Sequence, residues 1–170
     1  MDKAEDKTVL VVEDEPDVQA FLAATLEDAG FNVVTASNGQ EAYNCVKESK
    51  PDAITLDLVM PRQSGVTFYK RLRANAKYTG IPVVIITAHA RDDLGQEDFN
   101  EVMKGKDVAP PQGYLEKPVE PVDLIGKIAN LLQVEVNDED ARGEVLAKLR
   151  TADLDTLARV KDVLEKDRTS

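Results

Sequence analysis

The chain has 170 residues, of which 42% are hydrophobic and 31% charged, and its formal net charge is -11. That acidity argues against nucleic acid and anionic membranes as direct partners, and no apolar run reaches the roughly 18 residues of a transmembrane helix. The lone cysteine, Cys45, excludes an internal disulfide, and the polar start at residues 1–7 lacks the apolar stretch of a signal peptide, so the chain reads as a cytoplasmic protein of one domain with an appendage.

Strands and helices alternate along the chain. Thr8 to Val12 is a continuous apolar run, as a strand covered on both faces requires. Pro16 sits where a helix can begin, and Val18, Phe21, Leu22, Thr25, Leu26 and Ala29 recur at helical spacing up to Gly30. A second strand is expected over 31–36. After it come a turn at Asn38-Gly39 and a helix with Ala42, Cys45 and Val46 on its buried face, stopped by Pro51. Ala53 to Leu56 reads as the third strand, and Gly65 to Ala74 as a helix with Val66, Phe68, Tyr69 and Leu72 inward. Ile81 to Ile86 is the most apolar segment and the fourth strand. Gly113 to Glu116 is a short fifth strand, and Pro121 to Leu132 an amphipathic helix carrying Val122, Leu124, Ile125, Ile128, Ala129 and Leu132.

Five strands alternating with helices predict a doubly wound α/β fold with a parallel sheet. In such sheets the residues at the carboxyl ends of the strands meet in one crevice. Glu13-Asp14 closes the first strand, Asp57 the third, and Lys117 the fifth. The sequence alone leaves the strand order open. The flavodoxin-like order 2-1-3-4-5 makes the three acids neighbours. Three close carboxylates repel one another unless a cation joins them, and Mg²⁺ takes oxygen ligands of this kind.

Four marks occur in a fixed order, each ending a predicted strand: Val-Val-Glu-Asp-Glu at 11–15, Asp57-Leu-Val-Met-Pro61 with Gly65 after it, Thr87-Ala88, and Lys117-Pro118. In these the chain resembles the receiver domain of two-component response regulators, the group that includes the chemotaxis regulator, over residues 7–133. The resemblance implies that Asp57 accepts a phosphoryl group. It implies that Mg²⁺ is bound by Asp14, Asp57 and the backbone carbonyl of Val59, with Glu13 acting through water. Lys117 would pair with a phosphoryl oxygen, Thr87 would donate its hydroxyl to another, and Tyr114 would be the aromatic switch. The implied partners are a sensor histidine kinase or phosphotransfer protein, or a small phosphodonor, together with an unnamed downstream protein. A homodimer also fits.

The chain departs from the family in three places. Thr87 to Lys117 is longer than usual, with the extra length in 90–112, near the face that receivers use for dimerisation or docking. Val59 and His89 stand where the family tunes the lifetime of the phosphoryl group. His89 is the only histidine, so this sequence holds no second phosphohistidine module. Residues 134–170 are expected to form a short helical tail, a hairpin of two amphipathic helices that docks or dimerises.

Three other readings stand beside this one. A haloacid-dehalogenase-type phosphatase needs an Asp two residues after its nucleophile, where this chain has Val59. A flavodoxin-like cofactor binder needs a phosphate loop where Glu13-Asp14-Glu15 would repel the phosphate. A receiver fold used only as a scaffold would never be phosphorylated.

Overall fold

The computed structural model describes residues 2–88 and 108–136. The chain divides into two compact units, Met1–Val136 and Asn137–Ser170. The second unit, with the expected tail hairpin, lies outside the described residues, as do His89 and positions 90–107 of the long connection.

The first unit is built from β1 (Thr8–Val12), α1 (Pro16–Asp28), β2 (Asn32–Ala36), α2 (Gly39–Glu48), β3 (Ala53–Leu56), α3 (Ser64–Ala74), β4 (Val83–Thr87), β5 (Gly113–Glu116) and α4 (Pro121–Leu132). All five strands run parallel in the order β2-β1-β3-β4-β5. The doubly wound order 2-1-3-4-5 is therefore the one adopted. β1 and β3 lie side by side, Val12 level with Leu56, so the residues that follow them emerge together.

Two apolar layers hold the sheet. On one face Leu10, Val12, Ile54, Leu56, Val83 and Ile85 pack with Val46 of α2 and Phe68 and Leu72 of α3. On the other, Val9, Val11, Ala53, Val84 and Ile86 pack with Leu22 and Leu26 of α1 and Leu124 and Ile128 of α4. Each fully buried side chain of this size stabilises by roughly 1.5–3 kcal/mol before the entropy of ordering it is counted. β3 and β4 are buried along their whole length, which is why they read as continuous apolar runs. β2 is one of the two edge strands, and only Ala36 in it is buried.

Several local expectations change. Asn38-Gly39 is the start of α2 rather than a separate turn, because the Asn38 side chain caps the helix by accepting from Glu41 N–H at 2.8 Å. β4 begins two residues later than Ile81, and β2 one later than Phe31, although both of those side chains are buried. Phe21 and Val122 share the helical spacing of their apolar neighbours yet are exposed, since the buried stripes of α1 and α4 are centred on Leu22–Leu26 and Leu124–Ile128. Arg73, one residue past the apolar stripe of α3, is buried. Its guanidinium is satisfied by Thr79 O and Ile81 O at 2.8 Å each, Gln112 Oε1 at 2.9 Å and Tyr69 Oη at 3.2 Å. After α4, Val134 is buried and Glu135 forms a parallel bridge with Lys3, so the first unit continues beyond residue 133.

Candidate functional site

The carboxyl edge of the sheet carries the site. Asp57 N–H donates to Val12 O at 3.1 Å, and Glu13 N–H donates to Ala36 O at 3.0 Å. These bonds extend the ladder one residue past each strand and fix Glu13 and Asp57 beside each other. Gln19 of α1 braces the same corner, its amide donating to Glu13 O at 2.9 Å and Ala36 O at 3.2 Å. Lys117 is held by its N–H to Thr87 O at 3.0 Å, just past β5, and precedes a cis Pro118.

Four side chains converge there. Lys117 Nζ lies 3.2 Å from Asp57 Oδ2 and 3.1 Å from Glu13 Oε1. It is also 2.9 Å from Glu13 Oε2, but only the Oε1 contact has hydrogen-bond geometry. Oε2 is thus fully buried without a hydrogen bond. Asp57 Oδ1 accepts from Val59 N–H at 2.9 Å. Glu13, Asp14 and Asp57 each offer an oxygen within 4.8 Å of the others. Glu13 is fully buried and Asp57 nearly so, whereas Asp14 is half-buried at the mouth.

The charges perturb one another strongly. Burial pushes the Glu13 carboxyl up to about 7, Lys117 opposing the rise and the Asp57 charge adding to it. Burial likewise raises Asp57, against the pull of Lys117 and the Val59 N–H, with repulsion from Asp14 adding to the rise. Burial alone would lower Lys117, but its contacts with Glu13 and Asp57 outweigh that and raise it. One ammonium against three carboxylates leaves the pocket short of positive charge. A hard divalent cation fits this oxygen-only set, and the bondless Glu13 Oε2 is the kind of atom that a metal-bound water or an ion satisfies.

The remaining expected site residues are placed less centrally. Thr87 closes β4, level with Glu116, and is buried. Val59 contributes its N–H to Asp57, as above. Tyr114 sits on β5 level with Ile85 and is 46% exposed. Its phenol is raised by burial and by Tyr69.

Gly65 has a reason that spacing did not reveal. A Cβ there would lie 2.4 Å from Asp57 O and 3.0 Å from Leu58 Cα. Only a residue without a side chain lets the first turn of α3 close on the Asp57 loop. The bracing by Gln19 was also missed, and it carries no sequence signal, being one helical amide among others. Beside the site a broad cleft of about 500 Å³ is lined by Asp17, Val18, Phe21, Leu22, Ala88, Lys117, Pro118 and Val119.

The comparisons with known proteins agree with this geometry. The family model described as the response regulator receiver domain matches residues 9–129. The phosphate regulon transcriptional regulatory protein PhoB of Pseudomonas aeruginosa is 33% identical over 127 residues, 75% of this chain and 52% of that one. Response regulator Rre1 of Synechocystis is 33% identical over 148 residues, 86% of this chain and 60% of that one. The chain thus spans about half the length of the curated relatives it matches. Among solved structures, the chemotaxis response regulator CheY4 of Vibrio cholerae superposes with a TM-score of 0.62 at 28% identity, over 74% of this chain and 98% of that one. The receiver domain of sensor histidine kinase PA1611 of Pseudomonas aeruginosa, with a magnesium ion coordinated in its active site cleft, gives 0.65 at 25% identity, over 75% and 98%.

Proposed function

Because the chain belongs to the receiver-domain family of two-component response regulators, we propose that Asp57 is its phosphoacceptor and that the domain works as a phosphorylation switch. The observation that carries this reading is the convergence of Glu13, Asp14 and Asp57 within 4.8 Å, with Lys117 Nζ at 3.2 Å from Asp57.

Asp57 is a suitable nucleophile. Val59 N–H and Lys117 fix its two oxygens at separate points, which orients the carboxylate before a donor arrives. One Asp57 oxygen forms a bond to phosphorus while the donor's bond to phosphorus breaks. That bond is P–N in a phosphohistidine and P–O in acetyl phosphate, and its electron pair leaves with the donor. Lys117 is close enough to neutralise charge on a phosphoryl oxygen as a compact point charge. Thr87 supplies a hydroxyl at the neighbouring strand end. Hydrolysis reverses the state, as water attacks phosphorus, inorganic phosphate departs and the Asp57 carboxylate is regenerated.

Asp14, Asp57 and the Val59 carbonyl would hold Mg²⁺, with Glu13 acting through water. The ion would offset charge on the transferring group. The PA1611 receiver domain, with magnesium in its cleft, supports this assignment. The donor is a sensor histidine kinase, a phosphotransfer protein or a small phosphodonor, and the apolar cleft around Phe21 and Pro118 gives a protein donor a surface beside Lys117. The output is a changed surface, read by a downstream protein or a second copy, with Thr87 and Tyr114 as the switch pair. The output is this altered surface rather than a released metabolite, and the domain assists only its own phosphorylation and dephosphorylation, so it is not classed as an enzyme.

Intact-protein mass spectrometry after incubation with acetyl phosphate tests the reading. One added phosphoryl group is expected with Mg²⁺, and none without Mg²⁺ or in Asp57→Asn. No addition to the parent chain from acetyl phosphate or from any histidine-kinase donor would leave a scaffold.

A further inference from the structure

The charge of this chain is unevenly placed. Residues 58–88 contain no Asp or Glu, while Arg62, Lys70, Arg71, Arg73 and Lys77 fall within them, although the whole chain carries 32 acidic against 21 basic residues. Within that stretch, Arg71 and Lys77 are exposed on the side of α3 and the turn after it that faces α2. α2 contributes exposed Lys47 to the same surface.

Aromatic rings organise these cations. The Arg71 guanidinium stacks over the Tyr43 ring, 3.9 Å from its centroid, and Lys47 Nζ approaches the same ring at 5.4 Å. Lys77 Nζ lies 5.6 Å from the Tyr78 ring, which meets Tyr43 edge-on with centroids 6.2 Å apart. Gln40 Oε1 accepts from Arg71 Nη1 at 3.3 Å. No carboxylate of the described residues forms an ion pair with Arg71, Lys47 or Lys77. Stacking fixes the direction of the guanidinium and lowers the entropy lost when it meets a partner, while leaving N–H donors outward. Tyrosine and arginine are the side chains that most often anchor protein interfaces.

We propose that the α2–α3 face, centred on Arg71 and Tyr43, is a docking surface for a carboxylate-rich segment of a partner protein. Charge complementarity selects that occupant. A surface of cations held on rings, on a molecule that otherwise repels anions, takes an acidic chain locally and rejects it elsewhere. The face is built from α2 and α3 and shares no residue with the Asp57 site, so the inference stands apart from the phosphoacceptor reading.

The full chain should be titrated against a fluorescein-labelled oligo-glutamate of about twenty residues at low salt, followed by anisotropy. Amide shift perturbations should locate the contact. Saturable binding is expected, with shifts confined to α2 and α3. Arg71→Glu combined with Lys77→Glu should weaken it about tenfold or more, since each reversal converts an attraction into a repulsion. Lys47→Glu alone, which leaves the Arg71–Tyr43 stack in place, should weaken it in the same direction by less. Unchanged circular dichroism and unchanged phosphorylation by acetyl phosphate in these variants would show that the fold is intact. Absent binding, binding unaffected by the reversals, or shifts elsewhere would overturn the proposal. Equal or tighter binding of a single-stranded DNA of matched charge at this face would overturn it in favour of nucleic acid.

Discussion

Lys117 Nζ bridges Glu13 and Asp57, 2.9 Å from Glu13 Oε2 and 3.2 Å from Asp57 Oδ2, and all three side chains are largely removed from water. The lysine is the sole cation that the described residues bring against this carboxylate cluster. Its removal therefore exposes two facts at once, the repulsion between the acids and the need of the reaction for a positive charge.

Lys117→Met keeps the length of the side chain and deletes the ammonium. Stripping one partner from a buried ion pair costs about 3–5 kcal/mol. Some of that is relieved here as Glu13 takes up a proton, so a loss near the lower end is expected at pH 8. Urea unfolding at pH 8 measures it. Phosphorylation by acetyl phosphate should slow by at least tenfold, and Lys117→Arg should not restore it, because a planar fork does not replace a point charge at this spacing.

The Glu13 carboxyl gives the metal-free protein a characteristic pH dependence. Its value rises from 4.5 to about 7 on folding, so between these limits the native state binds more protons than the unfolded chain. Stability from this group is present below pH 4.5 and is lost as pH rises through 7. A shift of this size corresponds to a loss on the order of 3 kcal/mol. Mg²⁺ favours the ionised acid, so the gain in melting temperature on adding Mg²⁺ should grow from pH 5 to pH 8. Glu13→Gln should flatten the metal-free curve. A metal-free curve that rises between pH 5 and 7 would contradict the burial argument.

Gly65→Ala should damage the site without touching any charged group. The added Cβ would meet Asp57 O at 2.4 Å, and relief requires α3 or the Asp57 loop to move. Overpacking of this kind costs roughly 1–3 kcal/mol. Thermal unfolding reads the loss of stability, and phosphorylation by acetyl phosphate should fall further than that loss alone explains, because Asp57 is displaced from Lys117.

Arg73→Leu tests the buried guanidinium of α3. Thr79 O and Ile81 O would lose this donor, while Gln112 Oε1 keeps the Val83 N–H at 2.7 Å. Unpaired buried acceptors cost about 1–3 kcal/mol each, and the leucine recovers part of this through packing. A net loss of roughly 2–4 kcal/mol is expected in urea unfolding.

The parts of this protein that were legible in its sequence share one property, dependence on local pattern. β1 and β3 are bounded as found, because continuous apolar runs end at Val12 and at Leu56, and β5 because Gly113 opens it and Lys117-Pro118 closes it. The acids were placed together by a strand order that the sequence could suggest but not derive. What stayed hidden depends on tertiary approach. Phe21 and Leu22 are adjacent apolar residues, and only the position of the sheet decides which one is buried. Arg73 reads as a surface cation until Thr79, Ile81 and Gln112 are brought around it. The bracing by Gln19 and the closeness of Gly65 to Asp57 arise between segments far apart in the chain.

The central claim is that Asp57 carries the phosphoryl group. Phosphorylation with acetyl phosphate and Mg²⁺, borohydride reduction and peptide mapping tests it most directly, since reduction converts an aspartyl phosphate to homoserine. Homoserine at position 57, absent without Mg²⁺ and absent in Asp57→Asn, is the result this account predicts. Homoserine at position 14 in the parent chain, or reduction at no acidic residue despite added phosphate, would contradict it.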